Sequence, residues 1–423
     1  MIDIEILRSE SEYVCRNLKK RGFDFNFFYF QDLDSKIRAL KTKIYRLQYK
    51  HNLMSVLLKS LKLNFMRFDY LVFEIFALKN MISNKKSSLD ILEKECRDFL
   101  SFMPNILHKS VPIGYNESDN LEIRLFSGSI VLSKNFINDL ESSVHYIDFG
   151  VSAKLSGSGF VVLKSELAQL YRSLGNYMLD LHVLKHGYQE IYSPLMVNEK
   201  SMFSTGHLPK FYDDLFNISG TDLWLIPTSE VVLSNLISGN KLNIDNFPLK
   251  FVSKTECFRK EKGSYGYKVK GLIRQHQFDK VELVKVVLPE DSYNALEELV
   301  FHAEKVLQNL NLSYRVLSLC SKDLGFTSSK TYDLEVWFPK RKMYVEVSSC
   351  SNTESFQSIR MKTKFKNKLL DQLLYPHILN GSGLAIGRVF LAIIENYSDK
   401  KGNLVVPDVL VQYMNGRELI QFK

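Results

Sequence analysis

Two neighbouring stretches concentrate the side chains that could do chemistry. Cys257-Phe-Arg-Lys-Glu-Lys-Gly263 is followed, after a Gly/Ser/Lys loop, by Gly271-Leu-Ile-Arg-Gln-His-Gln-Phe-Asp-Lys-Val-Glu282. Arg259, Arg274, His276 and Lys280 supply positive charge, Glu261 and Glu282 fixed acceptors, and Phe278 an aromatic face. That set suits a polyanion, a purine ring and a small cation together. Arginine forks match phosphate oxygens and can stabilise charge developing at a phosphorus centre. A surface ion-pair network on a hairpin is the plainer alternative, but seven function-compatible side chains in one hairpin weigh against it.

Two further segments carry compatible groups. In Leu225-Ile-Pro-Thr-Ser-Glu230 a hydroxyl and a carboxylate, Thr228 and Glu230, lie two apart. Alone, this reads equally as a turn and a helix N-terminus with an acid at the positive end of the dipole. The third runs through Thr331–Trp337, Tyr344-Val-Glu-Val-Ser-Ser-Cys-Ser-Asn352 and Leu379-Asn-Gly-Ser-Gly-Leu-Ala-Ile-Gly-Arg388. Glu346 and Ser349 offer the oxygen ligands that suit Mg²⁺ held mainly through nucleotide phosphates. Gly383 and Gly387 permit close backbone approach to a ligand, and Arg388 can cover a base or a phosphate.

The elements that must position these groups fall into two regions. From Leu33 the apolar positions Leu33, Ile37, Leu40, Ile44 and Leu47 alternate in steps of four and three, and the seam resumes at Met54, Leu58 and Leu61. A second seam runs Leu71, Ile75, Leu78, Ile82, then Leu89, Leu92, Cys96 and Phe99, and no glycine or proline interrupts either. This predicts two helices joined near Asn64 and folded into an antiparallel coiled coil, each about 45 Å long at the helical rise per residue. The first carries Lys36, Arg38, Lys41, Lys43, Arg46, Lys50, Lys59 and Lys62 against only Asp32 and Asp34. Such a stripe is a solvated surface or a track for phosphates. Pro104 ends the arm, and 111–120 reads as a boundary.

Beyond it, a long helix over 163–185 and strands at 222–227, 249–257, 271–287, 313–318, 331–338 and 343–349 predict an antiparallel sheet flanked by helices. The fold class is therefore α+β. Residues 1–110 carry the arm (about 31–100), and 111–423 form the second domain.

The familiar nucleotide motifs are absent. Ser156–Ser165 superficially matches a P-loop but has Leu163 where glycine must precede the lysine, and Gly381–Gly387 is one residue too long for a dinucleotide fingerprint. A nucleotide site must therefore be built on a sheet surface. With 423 residues the chain can bury a large core, and its net charge of +9 is compatible with a polyanionic partner. Five cysteines without a Cys-x-x-Cys pair argue for a reducing compartment. No apolar run is long enough for a membrane span, and acids near the start are unlike a targeting peptide, so a cytoplasmic location is expected.

Taken together, Thr205-Gly-His-Leu-Pro-Lys-Phe211, Ile226-Pro-Thr-Ser-Glu230, Phe258-Arg-Lys-Glu261, Arg274-Gln-His-Gln-Phe278, Glu346-Val-Ser-Ser349 and Asn380-Gly-Ser-Gly-Leu-Ala385 resemble the motifs of the seryl-tRNA synthetases, a class II family. Pro104-Asn105, Val111-Pro-Ile-Gly114 and the arm extend the resemblance over the whole chain.

The resemblance implies an enzyme that uses ATP and Mg²⁺ to convert L-serine to seryl-adenylate and then loads serine tRNA, with selenocysteine tRNA a further expected substrate where it exists. It implies catalytic roles for Arg259, Glu261 and Arg388. It implies ATP binding by Arg259, Lys260, Glu261, Arg274, Phe278, Glu346, Val347, Ser348, Ser349 and Arg388, with Phe278 and Arg388 sandwiching adenine. Mg²⁺ falls to Glu346 and Ser349. Serine falls to Thr228, Ser229, Glu230, Glu282 and Ser382, with Glu282 and Ser382 reading the hydroxyl. The tRNA falls to Lys36, Arg38, Lys41, Lys43, Arg46 and Lys50. A homodimer formed through the 163–185 helix is also implied. Lys262, Tyr265, Tyr267, Lys268, Ile359 and Ile378 depart from the family pattern, but none holds one of these roles. A paralogue loading carrier proteins would lack the arm, and an impaired RNA-binding relative would not need this complete set.

Overall fold

The computed structural model describes residues 1–60, 65–128, 146–261, 271–367, 371–399 and 401–422. The expected turn near Asn64 and the departures at 262, 265, 267 and 268 lie outside them.

Two short helices, α1 (Ile4–Ser9) and α2 (Ser11–Lys20), precede the arm helices α3 (Phe27–Ser60) and α4 (Phe65–Ser101). The heptad reading accounts for their packing. Leu33, Ile37, Ile44, Leu78 and Cys96 are buried between the helices, and Leu40, Leu47, Met54, Leu71, Ile75, Ile82, Leu89, Leu92 and Phe99 are half-buried. The base is closed by α1 and α2, whose Leu7, Val14 and Leu18 pack with Phe30, Leu33, Leu100 and Met103.

The second region is organised around an eight-stranded sheet. In chain order its strands are β1 (Leu121–Phe126), β2 (Gln189–Glu190), β3 (Leu249–Phe258), β4 (Gln277–Val287), β5 (Tyr314–Ser318), β6 (Lys330–Phe338), β7 (Met343–Asn352) and β8 (His377–Ala385). They lie in the spatial order β1-β5-β6-β7-β8-β4-β3-β2, and every pairing is antiparallel except β2 with β3. Three helices, α5 (Ser165–Leu184), α7 (Ser292–Asn309) and α9 (Ile386–Asn396), cover one face, with α6 (Glu230–Asn235) and α8 (Phe356–Met361) toward the other. Leu296, Leu299, Val300, Ala303, Val306 and Leu307 of α7 recur at three- and four-residue spacing and enter the main core beside Leu170, Leu174 and Met178 of α5.

One expected strand is shorter than the sequence suggests. Residues 271–276 are not β-structure: Gly271 takes φ +78°, and Gly271–Ile273 forms a 3₁₀ turn, so β4 begins only at Gln277. Ile378 is fully buried against Leu233, Ile237, Val284 and Met361, where an apolar side chain fits. Among the described residues no helix is long and apolar enough to cross a membrane.

Candidate active site

The site is a cavity of about 300 Å³ on the sheet face opposite the main core. Strand alternation selects its floor. Along β4, Phe278, Lys280 and Glu282 face the cavity while Val281 and Leu283 enter the core. On β7, Glu346 and Ser349 stand three apart, which a regular strand would send to opposite faces. The register to β6 slips between Ser348 and Glu346, and this bulge brings Glu346, Val347 and Ser349 to the same cavity. A second slip, between Ser382 and Leu384 on β8, lets Ser382 and Ala385 share it. Gly383 permits that slip, because a Cβ there would sit 2.8 Å from His182 Nε2.

Polar contacts divide the cavity into two ends. At one, Lys280 Nζ donates to Thr228 Oγ1 (2.8 Å) and pairs with Glu282 Oε2 (2.5 Å), which also accepts from Thr228 Oγ1 (3.2 Å). Lys280 and Glu282 are both buried. Beside them Glu230 Oε1 accepts from Gln357 Nε2 (2.6 Å) and Asn380 Nδ2 (2.7 Å), both neutral. Burial, then the nearby Glu282 carboxylate, pushes the Glu230 carboxyl up to about 7. His207, also on the wall, is pushed down to about 3 by burial and then by Arg259.

At the other end Arg274 pairs with Glu261 (2.6 Å), and Arg388 Nη1 contacts the carbonyl (2.7 Å) and carboxylate (3.3 Å) of Glu346 while its Nε donates to Ile273 O (3.2 Å). Arg259 lies between the ends, its Nε donating to Pro227 O (3.2 Å) and its guanidinium 5.3 Å from the Phe278 ring centroid.

The cavity thus gathers Thr228, Glu230, Arg259, Glu261, Arg274, Phe278, Glu282, Glu346, Val347, Ser349, Ser382 and Arg388 from the sequence-based set. Three expected residues lie off it. Ser229 is buried, with its hydroxyl unpartnered. Lys260 donates its backbone N–H to Asp214 O, and its ammonium lies over Phe216. Ser348, sent to the other side by the bulge, donates its hydroxyl to Ser382 O (2.6 Å). His276 is likewise outside, with a ring nitrogen 3.0 Å from Arg259 O. Lys280, read from the sequence only as part of a positive set, is the central cation of the Glu282 end. Its signal was the two-residue step from Phe278 to Glu282.

On the arm the cationic stripe is partly neutralised. Lys36 pairs with Asp32, Arg38 with Asp34, Lys41 with Glu93 (2.7 Å) and Lys50 with Glu74 (3.9 Å), the last two crossing to α4. Lys43 and Arg46 are exposed.

Among the described residues, arginines, an aromatic and carboxylates thus share one open face of an antiparallel sheet. Residues 215–397 match the tRNA synthetase class II core domain (G, H, P, S and T). Residues 1–107 match the seryl-tRNA synthetase N-terminal domain. A serine–tRNA ligase of Legionella pneumophila (strain Paris) is 44% identical over the full length of both chains. The crystal structure of seryl-tRNA synthetase from Pyrococcus horikoshii, complexed with ATP, superposes over all of both chains with a TM-score of 0.89 at 29% identity. The cytoplasmic serine–tRNA ligase of Naegleria fowleri, in complex with AMP, follows at 0.84 and 27%, over 100% of this chain and 99% of that one. With the arm domain and the core both matched, the chain belongs to the seryl-tRNA synthetase family, the serine–tRNA ligases.

Proposed function

We propose that the cavity binds ATP at its Glu261–Arg388 end and L-serine at its Glu230–Glu282 end, and joins them as seryl-adenylate with release of pyrophosphate. The observation that carries this reading is the file of Phe278, Lys280 and Glu282 on one face of β4, with Arg259 between the two ends. Phe278 and Arg388 enclose adenine, Glu261 meets its edge, and Arg274 leaves Glu261 for the outer phosphates. Arg259 holds the serine carboxylate against the α-phosphate, where the charge of transfer develops. The geometry asks for no protein nucleophile. The protein's contribution is proximity and preset charge.

Serine's ammonium meets Glu230, the carboxylate whose own partners are neutral, because Lys280 and Glu282 already neutralise each other. Its hydroxyl meets Glu282 and Ser382, which would be left unpaired by alanine. Glu346 and Ser349 are hard oxygen donors brought together by the bulge, a set that fits Mg²⁺ bound chiefly through ATP phosphates. A metal held by Glu346 and Ser349 would supply positive charge against the phosphates.

Lys43 and Arg46, with the paired cations of α3, form the surface offered to serine tRNA. An exposed edge strand carrying Leu121, Ile123 and Leu125 supports a homodimer, more directly than α5, whose apolar face is buried within the chain. Five free cysteines suit the cytoplasm. Serine-dependent exchange of pyrophosphate into ATP tests the central claim. Exchange with serine and not with threonine, alanine or glycine is expected, and exchange with none of them overturns it.

A further inference from the structure

The segment 324–329 has no regular secondary structure, yet its Thr327 and Ser328 form part of the cavity wall. Its six successive carbonyls all accept hydrogen bonds from the N-terminal region. Arg21 donates to Leu324 O (3.0 Å), Gly325 O (2.6 Å) and Ser328 O (2.8 Å). Asn105 donates its backbone N–H to Phe326 O (3.0 Å) and its amide to Thr327 O (2.9 Å), and the His108 N–H reaches Ser329 O (3.0 Å). Arg21 also grips Asn105 O (3.0 Å), so one guanidinium spans four carbonyls.

Arg21 forms no carboxylate pair among the described residues, and burial lowers it to about 10. A half-buried charge matched only to carbonyl dipoles is a costly device unless it fixes a shape.

That shape belongs to the serine end of the cavity. Gly206 packs so closely on Thr327 that a Cβ would fall 2.4 Å from its methyl, and the adjoining Thr205 O accepts from Gln357, the amide that holds Glu230. A second arginine, the buried Arg360, ties the same wall to the arm. It donates to Phe203 O (3.1 Å), Leu208 O (3.2 Å) and Ser101 O (2.8 Å), the last at the end of α4, and lies over the rings of Phe203, Phe326 and Phe356.

We infer that Arg21 is a positioning residue for the serine pocket: through six consecutive carbonyls the arm-bearing region shapes the wall formed by Thr327 and Ser328, with Arg360 of α8 bracing it. The arm region thereby tunes amino-acid binding, besides whatever it does for RNA. This rests on the assignment of the Glu230–Glu282 end to serine.

The test is pyrophosphate exchange by the full chain carrying Arg21→Lys, Arg21→Ala, Asn105→Ala or Glu282→Gln, each first checked for cooperative heat unfolding. Lysine keeps the charge but not the planar fork that spans four carbonyls. The expected result for folded Arg21→Lys and Asn105→Ala is a KM for serine raised about tenfold, with the KM for ATP within about twofold of wild type. If Arg21→Ala fails to fold, the other two still decide. Unchanged serine KM in folded Arg21→Lys and Asn105→Ala overturns the inference, as does an equal rise for serine and ATP, which marks a merely structural role. If Glu282→Gln also leaves the serine KM unchanged, the pocket assignment falls with it. If Glu282→Gln raises it and the Arg21 and Asn105 variants do not, only this inference falls.

Discussion

Glu230 offers a direct test of how the cavity holds an ammonium. Its carboxyl is half-buried, hydrogen-bonded by two neutral amides and pushed up to about 7 by desolvation and the Glu282 carboxylate. In the unfolded chain it returns to about 4.5. At 1.36 kcal/mol per pH unit, ionising it in the folded, ligand-free protein costs about 3 kcal/mol. The penalty is absent below pH about 4.5, where both states are protonated, grows as pH rises, and is complete above about 7. Glu230→Gln keeps the Oε1 acceptor for Gln357 and Asn380 but cannot ionise. The variant should therefore be more stable than wild type by up to about 3 kcal/mol at pH 8, the gap closing toward pH 4.5 in urea unfolding. Serine binding should move the other way. Wild type must ionise Glu230 to meet the ammonium, so its affinity for serine falls about fivefold between pH 7 and 6, with a proton released on binding. The variant binds weakly at every pH and releases none. Calorimetric titration in two buffers of different ionisation enthalpy reads both quantities. A stability gap that does not change between pH 4.5 and 8, or serine binding without proton release near pH 6.5, refutes this account of Glu230.

Other outcomes follow from the same geometry. Phe278→Ala removes the proposed adenine platform, which stacking values of about 1–3 kcal/mol per base translate into an ATP KM about five- to a hundredfold higher with serine KM near wild type. An unchanged ATP KM rules the platform out. Ser382→Ala should cut the preference for serine over alanine by about tenfold or more in exchange assays, since one of the groups left unpaired by alanine is gone. Equal discrimination in the variant excludes Ser382 from reading the hydroxyl. Reversing charge at Lys43 and Arg46 should weaken tRNA charging and lower its salt slope by about one per residue, leaving pyrophosphate exchange intact. Charging at wild-type affinity would mean that RNA does not touch this part of α3.

The arm was legible because a heptad seam is a local pattern: Leu33, Ile37 and Ile44 are buried where the spacing puts them. The face of β4 was legible for the same reason, although Lys280 was not singled out there. Glu346 and Ser349 could not be joined from spacing alone, since period two separates them and the bulge at Val347 that reunites them has no sequence signature of its own. The extended reading of 271–276 failed where a positive φ at Gly271 and a 3₁₀ turn replace the pleat. The Arg21 contacts were beyond reach for a different reason. They join residues some 300 positions apart, and their acceptors are carbonyls, which every residue possesses. The ion pairs from α3 to α4 likewise depend on which helix faces meet, so a stripe that is one-sided in sequence is less so in space.

The strand β4 can finally be regarded as a ruler. Phe278, Lys280 and Glu282 are marks set two residues apart, so the backbone positions that carry the Phe278 ring and the Glu282 carboxylate are about 13 Å apart, fixed by the rise of a pleated chain. No loop movement can stretch it. If the proposed roles hold, a substitution at the Glu282 mark changes which amino acid is measured without disturbing the Phe278 mark, whereas inserting or deleting one residue between them would turn Glu282 into the core. The scale is thus editable in its end values and intolerant of any change in length.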